Sequence, residues 1–300
     1  MAEQKNCIAL GTFDGLHRGH RQVLELTKRG GGAPCALLFP EHPAKVLFGA
    51  APPALLTPED REALLRQNGI TPLYVDFRAI HALSARDFFE EILLKRFSAG
   101  ALCCGENYTF GKDKAGNTEI LRRFCEAAGV ELRVARTACF AGAPVSSSRI
   151  RRALENGEVE QANAMLGRPF SYAFEVVHGD RRGRLLHFPT INQFFPAGFV
   201  RPKYGVYAAR VSIDGDYHPA VTNFGMRPTI GTESVRSETC ILDYEGDLYG
   251  QRIRVELLKY LRPEQRFSSL DALSAAIGRD AQCAREYLEK GCNLCENPVK

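Results

Sequence analysis

The chain of 300 residues contains no tryptophan and only three methionines. Nowhere does it approach the run of about 18 apolar residues that a membrane-spanning helix needs, so no membrane partner is expected. The first apolar run, Cys7–Leu10, is short and passes directly into a glycine-rich turn. That is not the pattern of a secretion signal, and the expectation is a cytoplasmic protein. A G-x-x-x-x-G-K-[ST] string is missing, which excludes a P-loop nucleotide site. Neither sign of charge dominates: 39 Lys and Arg against 35 Asp and Glu leave a net +4, shared between both halves. A nucleic-acid partner would call for a concentrated basic region, and none is present. Internal repeats and low-complexity tracts are absent as well.

The ten cysteines show no framework spacing, and two of them, Cys103 and Cys104, are adjacent. They read as reduced thiols, mostly small core residues. Cys292 and Cys295 form a single C-x-x-C. That is half of a zinc set with no second half, and it reads as a tail feature. Nothing in the sequence sets an oligomeric state, and a monomer suffices.

What remains is the composition of an ordinary globular protein, 45% hydrophobic and 25% charged, at a length suited to two domains. The first part alternates strands and helices. Apolar runs at Asn6–Leu10, Cys35–Phe39, Leu73–Phe77, Gly100–Cys104 and Glu131–Ala135 predict strands. Amphipathic or capped segments at His20–Arg29, Pro58–Gln67, Ser84–Phe97 and Asn117–Gly129 predict helices. Alternation of this kind predicts a parallel sheet covered on both faces, with ligand bound at the carboxyl ends of its strands. The turns after strands one, two and four would then converge on one crevice. Ser148–Gly157 and Val159–Leu166 predict short joining helices. Beyond Gly167 come short alternating segments (Ala173–Val177, Gly205–Ile213, Thr239–Tyr244, Ile253–Leu258) broken by Gly, Pro and Asp, with Asp214-Gly215 as a hairpin turn. They predict an antiparallel barrel or sandwich, closed by a helix over Asp271–Leu288.

Two regions carry candidate chemistry. His17-Arg18-Gly19-His20 opens the first helix, where unpaired N–H groups and the positive dipole end favour a phosphate. Two imidazoles one turn apart could donate to the same phosphoryl group, and phosphoryl and nucleotidyl transfer depend mainly on positioning and charge stabilisation. In the second half, Gly179-Asp-Arg-Arg-Gly-Arg184 precedes Phe188-Pro-Thr-Ile-Asn192. Glycines and arginines in a loop suit a nucleotide phosphate, and Thr190 and Asn192 offer neutral oxygens for Mg²⁺. A proline turn with an Asx hydrogen bond accounts for the same residues without a ligand.

The wider context of these strings resembles a known family. Gly11-Thr-Phe-Asp-Gly-Leu-His-Arg-Gly-His20 resembles the opening motif of the nucleotidyltransferase superfamily, and in its Phe-Asp-Gly form that of bifunctional riboflavin kinase/FAD synthetases. Phe39-Pro-Glu-His-Pro43, Gly105-Glu-Asn-Tyr-Thr-Phe-Gly111 and Val145-Ser-Ser-Ser-Arg-Ile-Arg151 resemble the next three motifs in order, with Pro40 and Glu41 exchanged. The loop at 179–192 resembles the riboflavin kinase motif G-R-x-L-G-F-P-T-x-N. Gly205-Val-Tyr207, Asn223-Phe-Gly225, Arg227-Pro-Thr229, Glu238–Tyr244 and Asp247–Gly250 also match. Phe174 and His187 depart from it, each placing bulk where the family has glycine.

The resemblance implies an α/β plus all-β architecture. A Rossmann-like nucleotidyltransferase domain with a parallel sheet would occupy residues 1–166. A six-stranded antiparallel β-barrel riboflavin kinase domain with a terminal helix would occupy 167–290, followed by a tail at 291–300. It implies ATP-dependent phosphorylation of riboflavin to FMN and adenylylation of FMN to FAD, with riboflavin, FMN and ATP as partners and Mg²⁺ as cofactor. His17 and His20 would stabilise charge in the first domain, with Gly11, Phe13, Asp14, Gly19, His42, Asn107, Ser147, Ser148 and Arg151 binding ATP or FMN. Glu238, expected on the inner face of a barrel strand, would be the base of the kinase. Gly179, Arg184, Pro189, Thr190, Asn192, Tyr207, Asn223 and Arg227 would bind riboflavin or ATP, Thr190 and Asn192 through Mg²⁺. An enzyme with the adenylyltransferase activity alone and a flavin-binding regulator without turnover stay open as rivals.

Overall fold

The computed structural model describes residues 5–179, 190–229 and 232–289. Its contacts divide the chain between Ser147 and Ser148.

In the first unit five parallel strands, β1 (Asn6–Leu10), β2 (Ala33–Leu38), β3 (Thr71–Tyr74), β4 (Ala99–Gly105) and β5 (Glu131–Ala135), form one sheet in the order β3-β2-β1-β4-β5. Strand side chains alternate between faces, so the continuous apolar run of β1 serves two cores. Ile8 and Leu10 join Leu37, Leu102 and Cys104 on one face, and Cys7 and Ala9 join Ala36, Leu38 and Cys103 on the other. Helices α1 (Arg18–Thr27) and α3 (Pro58–Gln67) cover the second face through Val23, Leu24 and Leu65. Helix α4 (Thr118–Ala128) and the segment Phe88–Arg96 cover the first through Leu121, Cys125, Phe88, Phe89, Ile92 and Leu93. Cysteines 7, 35, 103, 104 and 125 are buried free thiols in these cores.

The caps follow the sequence. Thr57 accepts from the Asp60 amide at the start of α3, with Pro58 at its first position, and a short helix α2 (Pro43–Phe48) begins at His42. One helix differs from expectation. Of the segment expected as Ser84–Phe97, residues Phe88–Arg96 are wound as a π-helix, ending with Phe97 N–H bonded to Ile92 O at 3.1 Å. The wider winding turns two adjacent apolar pairs, Phe88-Phe89 and Ile92-Leu93, together onto the sheet.

The second unit holds helices α5 (Ser147–Asn156) and α6 (Val159–Leu166) and six antiparallel strands. These are β6 (Phe170–Glu175), β7 (Thr190–Phe194), β8 (Gly205–Ile213), β9 (Asp216–Thr229), β10 (Thr232–Ile241) and β11 (Arg252–Arg262), ordered β6-β11-β8-β9-β10-β7. The ends meet where Val177 N–H donates to Asn192 O at 2.9 Å and Gln193 Nε2 donates to Phe174 O at 2.7 Å and Ile253 O at 2.8 Å, so the sheet closes into the expected barrel. Asp214 and Gly215 both have positive φ, 51° and 96°, between the paired residues Ile213 and Asp216. That is the two-residue hairpin whose twist suits flanking strands.

The interior of the barrel is aromatic. Tyr172 packs against Phe195 and Phe224 at centroid distances of 4.7 and 5.6 Å. Phe174, the bulky departure from the family pattern, lies 5.0 Å from Phe195 and 5.3 Å from Phe199. Its bulk fills the core. Outside, helix α7 (Leu270–Glu289) lays Ala281 and Ala284 on Val206, Ala208, Val221, Cys240 and Leu242. Asp280 holds Arg262 through bonds of 2.7 and 3.1 Å.

Candidate active sites

Strands β2, β1 and β4 are neighbours and parallel, so the turns after them leave one edge of the sheet. The order β3-β2-β1-β4-β5 reverses direction between β1 and β4, and such a switch point opens a crevice at the carboxyl ends. The turn after β1 is strained: Phe13 and Leu16 are left-handed, φ 52° and 44°, beside Gly15 at 80°. Non-glycine residues hold that conformation only where the surroundings enforce it, typically at functional sites. Here the enforcement is visible. Phe13 is fully buried, near Gly11 at the start of the turn. Asp14 Oδ1 accepts from the Leu55 amide at 2.9 Å, and Asp14 O accepts from the Ser147 hydroxyl at 2.9 Å.

The turn delivers His17 as the N-cap of α1, its Nδ1 accepting from the His20 amide at 3.3 Å. With Nδ1 an acceptor, a neutral His17 carries its proton on Nε2. Gly19 lies between the two histidines in sequence, and their rings stack at 3.6 Å and 14°, with Phe13 edge-on to His20 at 5.3 Å. Burial, and then the neighbouring His17, hold His20 well below the ordinary imidazole value. Its Nδ1 is enclosed without a hydrogen-bond partner among the described residues. His20 is therefore a neutral imidazole, stacked on His17 at a helix N-terminus.

Around it, His42 caps α2, its Nδ1 accepting from Ala44 N–H at 3.1 Å. Glu41 is paired with Arg78 at 2.6 Å and Lys45 at 2.9 Å, and the Arg78 hydrogen bond holds its carboxyl below the usual range. Asn107 is exposed in the turn after β4. Next to it, Glu106 ties that turn to the one after β5 through Thr137 N–H and Oγ1 at 2.9 and 2.7 Å. Ser148, exposed, and Arg151, buried, lie on α5 and group with the second unit. Sequence reasoning missed Arg61. From α3 its Nη2 donates to Phe39 O at 3.2 Å, and its Nη1 reaches Thr12 O at 3.5 Å, so it spans the ends of β2 and β1. Its Nε is buried without a partner among the described residues. In sequence it is one more charge in the polar helix PEDREALLRQ, and no signal singles it out.

In the barrel, directly opposed residues share a face. Ser237 and Thr239 are fully buried in the interior, so Glu238 between them points outward, on the face of Cys240 and Leu242. This corrects the expectation of an inner-face glutamate: strand alternation fixes the side, and the interior is already filled by aromatic rings. Along that outer face run two rows. Ala208, Val221, Cys240 and Thr190 are in register, and all but Thr190 belong to the patch beneath α7. One step along, the register reads Val206, Asn223, Glu238, Asn192. The surface turns polar at this second row. A side chain on Gly179 would collide with the amide of Asn192, so only glycine lets that backbone lie over it. Arg236, buried, forms an ion pair with Glu238.

The structure thus brings Gly179, Thr190, Asn192, Asn223 and Glu238 together. Tyr207 lies on the other side of the sheet, fully buried, its hydroxyl donating to Lys203 O and its ring 5.6 Å from Phe224. Arg227 pairs with Ser234 along β9. Arg184, His187, Pro189, Cys292 and Cys295 lie outside the described residues.

Comparison with known proteins agrees with this division. Residues 1–149 match the FAD synthetase family and residues 166–288 the riboflavin kinase family. The bifunctional riboflavin kinase/FMN adenylyltransferase of Escherichia coli K12 is 37% identical over 296 residues, 95% of this chain and 94% of that one. The Bacillus subtilis protein of the same description is 33% identical over 297 residues, 95% and 93% of the two chains. A solved structure from Streptococcus pneumoniae, described as a macrolide-efflux protein, superposes with a TM-score of 0.85 at 28% identity over 95% of both chains. No described helix here is long and apolar enough to cross a membrane. By both of its halves, and by their order, the chain belongs to the bifunctional riboflavin kinase/FMN adenylyltransferase family.

Proposed function

We propose that each polar site carries one of the two reactions by which this enzyme makes FMN from riboflavin and FAD from FMN. In the barrel, Glu238 takes the proton of riboflavin's terminal hydroxyl as that oxygen attacks the γ-phosphorus of ATP, giving FMN and ADP. In the parallel-sheet unit, an oxygen of the FMN phosphate attacks the α-phosphorus of a second ATP, giving FAD and pyrophosphate. His17 and His20 act there as donors to the oxygens on which charge builds, and Arg61 ties the ends of β1 and β2 together. Asn107, Ser148 and Arg151 contact nucleotide or flavin, the arginine through charge-assisted bonds to phosphate.

The donors of the barrel face suit Mg²⁺. Thr190 and Asn192 place a hydroxyl and an amide oxygen two residues apart on one face, with the Glu238 carboxylate opposite Asn192. No group of three or more His, Cys, Asp or Glu among the described residues could hold a metal by itself. The ion would therefore be shared with ATP, where it neutralises the polyphosphate. Buried free thiols fit a cytoplasmic, reducing setting.

The observation that carries the kinase reading is the in-register row Asn223, Glu238, Asn192 with Gly179 laid over it. An enzyme reduced to adenylylation loses one of its two supports, since Phe174 packs into the core. Chromatography of products from riboflavin with Mg-ATP, and separately from FMN with Mg-ATP, tests the assignment. Glu238→Gln is expected to slow FMN formation by about 10²–10⁴-fold, the usual worth of a general base, while leaving FMN adenylylation intact. FMN formation at the wild-type rate in that variant overturns the role of Glu238.

A further inference from the structure

One carboxylate in the parallel-sheet unit has no part in the two reactions as assigned. Glu106 precedes Asn107 in the turn after β4, which Tyr108 N–H closes by donating to Gly105 O at 3.1 Å. The main chain of Glu106 is held from the start of α4, where the Thr118 hydroxyl donates to Glu106 O at 2.9 Å. Its side chain reaches across to the segment that leaves β5. There one oxygen, Oε2, accepts from both the amide and the hydroxyl of Thr137, and these bonds hold the carboxyl below its usual range.

Thr137 begins a short strap. Val145 N–H donates to Ala138 O at 2.8 Å, and between them Cys139 pairs with Pro144 and Phe140 with Ala143. Ala141 and Gly142 turn this hairpin with φ of 50° and 73°, the two-residue geometry that matches strand twist. The far end is fixed by Ser147, whose hydroxyl donates to Asp14 O in the turn after β1. Ala138, buried, lies at the start of α1: a β-carbon on Gly19 would sit 3.2 Å from the His17 ring and 3.8 Å from Ala138 Cβ. The strap therefore runs from the turn of Asn107 to the histidine pair, and Glu106 fastens it at the Asn107 end. Glu106 and Thr137 are both exposed. A hydrogen bond there competes with water and adds little net stability, so the two bonds act on geometry more than on the fold. We propose that Glu106 is a positioning residue for FMN adenylylation: it touches no reacting atom, and by fastening Thr137 it sets the spacing between Asn107 and the two histidines. The proposal rests on the assignment of this crevice to adenylylation, made above.

The test is steady-state FMN adenylylation by the full-length protein. Wild-type enzyme is compared with Glu106→Ala, Glu106→Gln, Thr137→Val and the double variant of Glu106→Ala with Thr137→Val. Asn107→Ala and His20→Ala serve as references. Glu106→Ala is expected to lower kcat/KM by about tenfold or more, since an ångström of misplacement can already cost about a hundredfold. The loss should fall on kcat, through the histidines, and on KM, through Asn107. Glu106→Gln keeps an oxygen for both Thr137 donors and should recover much of the rate. Thr137→Val loses one of the two bonds and should fall between. The double variant should be no worse than Glu106→Ala, which has already lost both bonds. Denaturant unfolding and riboflavin phosphorylation should not move, which separates lost position from lost fold. The proposal fails if folded Glu106→Ala adenylylates FMN with wild-type kcat and KM. It fails as well if Glu106→Gln is no better than Glu106→Ala while Thr137→Val is silent, because the charge of Glu106 then acts without Thr137. Full activity in both Asn107→Ala and His20→Ala is a different failure, and it would overturn the assignment of the crevice itself.

Discussion

His20 stands where an ordinary histidine would be half protonated near neutrality, yet burial and the stacked His17 keep it neutral. This has a thermodynamic consequence. In the unfolded chain the ring titrates near its ordinary value of 6.5, and in the folded chain it does so well below. Between those two values the unfolded state binds more protons, so stability falls as pH falls, by at most about 1.4 kcal/mol per pH unit for one group. Above about pH 7 the contribution is constant. Melting temperature measured from pH 7.5 down to 5 should therefore drop more steeply in wild-type protein than in His20→Gln. Equal slopes would mean that the ring is not held neutral. Two imidazoles stacked 3.6 Å apart also resist double protonation. Glu41 shows the opposite use of charge. Its position within Phe39–Pro43 suggests a role in the site, but its two ion pairs to Lys45 and Arg78 give it a structural occupation.

Among the elements, α6 is tied to two barrel strands by one side chain. Asn163, buried, donates from Nδ2 to Leu257 O at 2.8 Å and accepts from the Phe170 amide at 2.6 Å, so it serves β11 and β6 at once. Asn163→Leu would leave both backbone groups buried and unpaired, at about 1–3 kcal/mol each. A loss of about 2–5 kcal/mol is expected for the second unit by denaturant unfolding, and a loss below about 1 would show that water replaces the side chain. This helix was legible in the sequence over its full range, as were Asn6–Leu10, Pro58–Gln67 and Gly205–Ile213, because hydrophobic period, cap and breaker agree there. Strand β9 was not. Pro219, Asn223 and Gly225 interrupt it, and they read as loop residues because one face of that strand is the polar row of the site. The π-winding of Phe88–Arg96 escaped for a related reason, since its apolar pairs fit an α-helix nearly as well. The site residues were legible as strings, but their grouping was not: only the register shows that Asn192, Glu238 and Asn223 form a row and that Tyr207 lies across the sheet from them.

For the whole molecule, the sequence suggests a division near Gly167, and the contacts place one between Ser147 and Ser148. The residues between are helices α5 and α6, and each unit has a claim on them. Structurally they belong with the barrel, through Asn163 and through Lys203 N–H bonded to Leu154 O at 2.9 Å. Chemically, Ser148 and Arg151 on α5 are assigned above to nucleotide binding for FMN adenylylation. No single cut then yields two competent halves. A fragment of residues 148–300 is expected to fold and phosphorylate riboflavin, whereas 167–300 lacks Asn163 and should unfold at much lower denaturant. Conversely, 1–166 should retain some FMN adenylylation, and 1–147 should lose at least tenfold more of it, about the worth of a charge-assisted phosphate contact. Product chromatography and denaturant unfolding on the four fragments read both claims. If 1–147 adenylylates FMN as well as the full chain, Ser148 and Arg151 have no part in the reaction, and α5 is purely a buttress of the barrel.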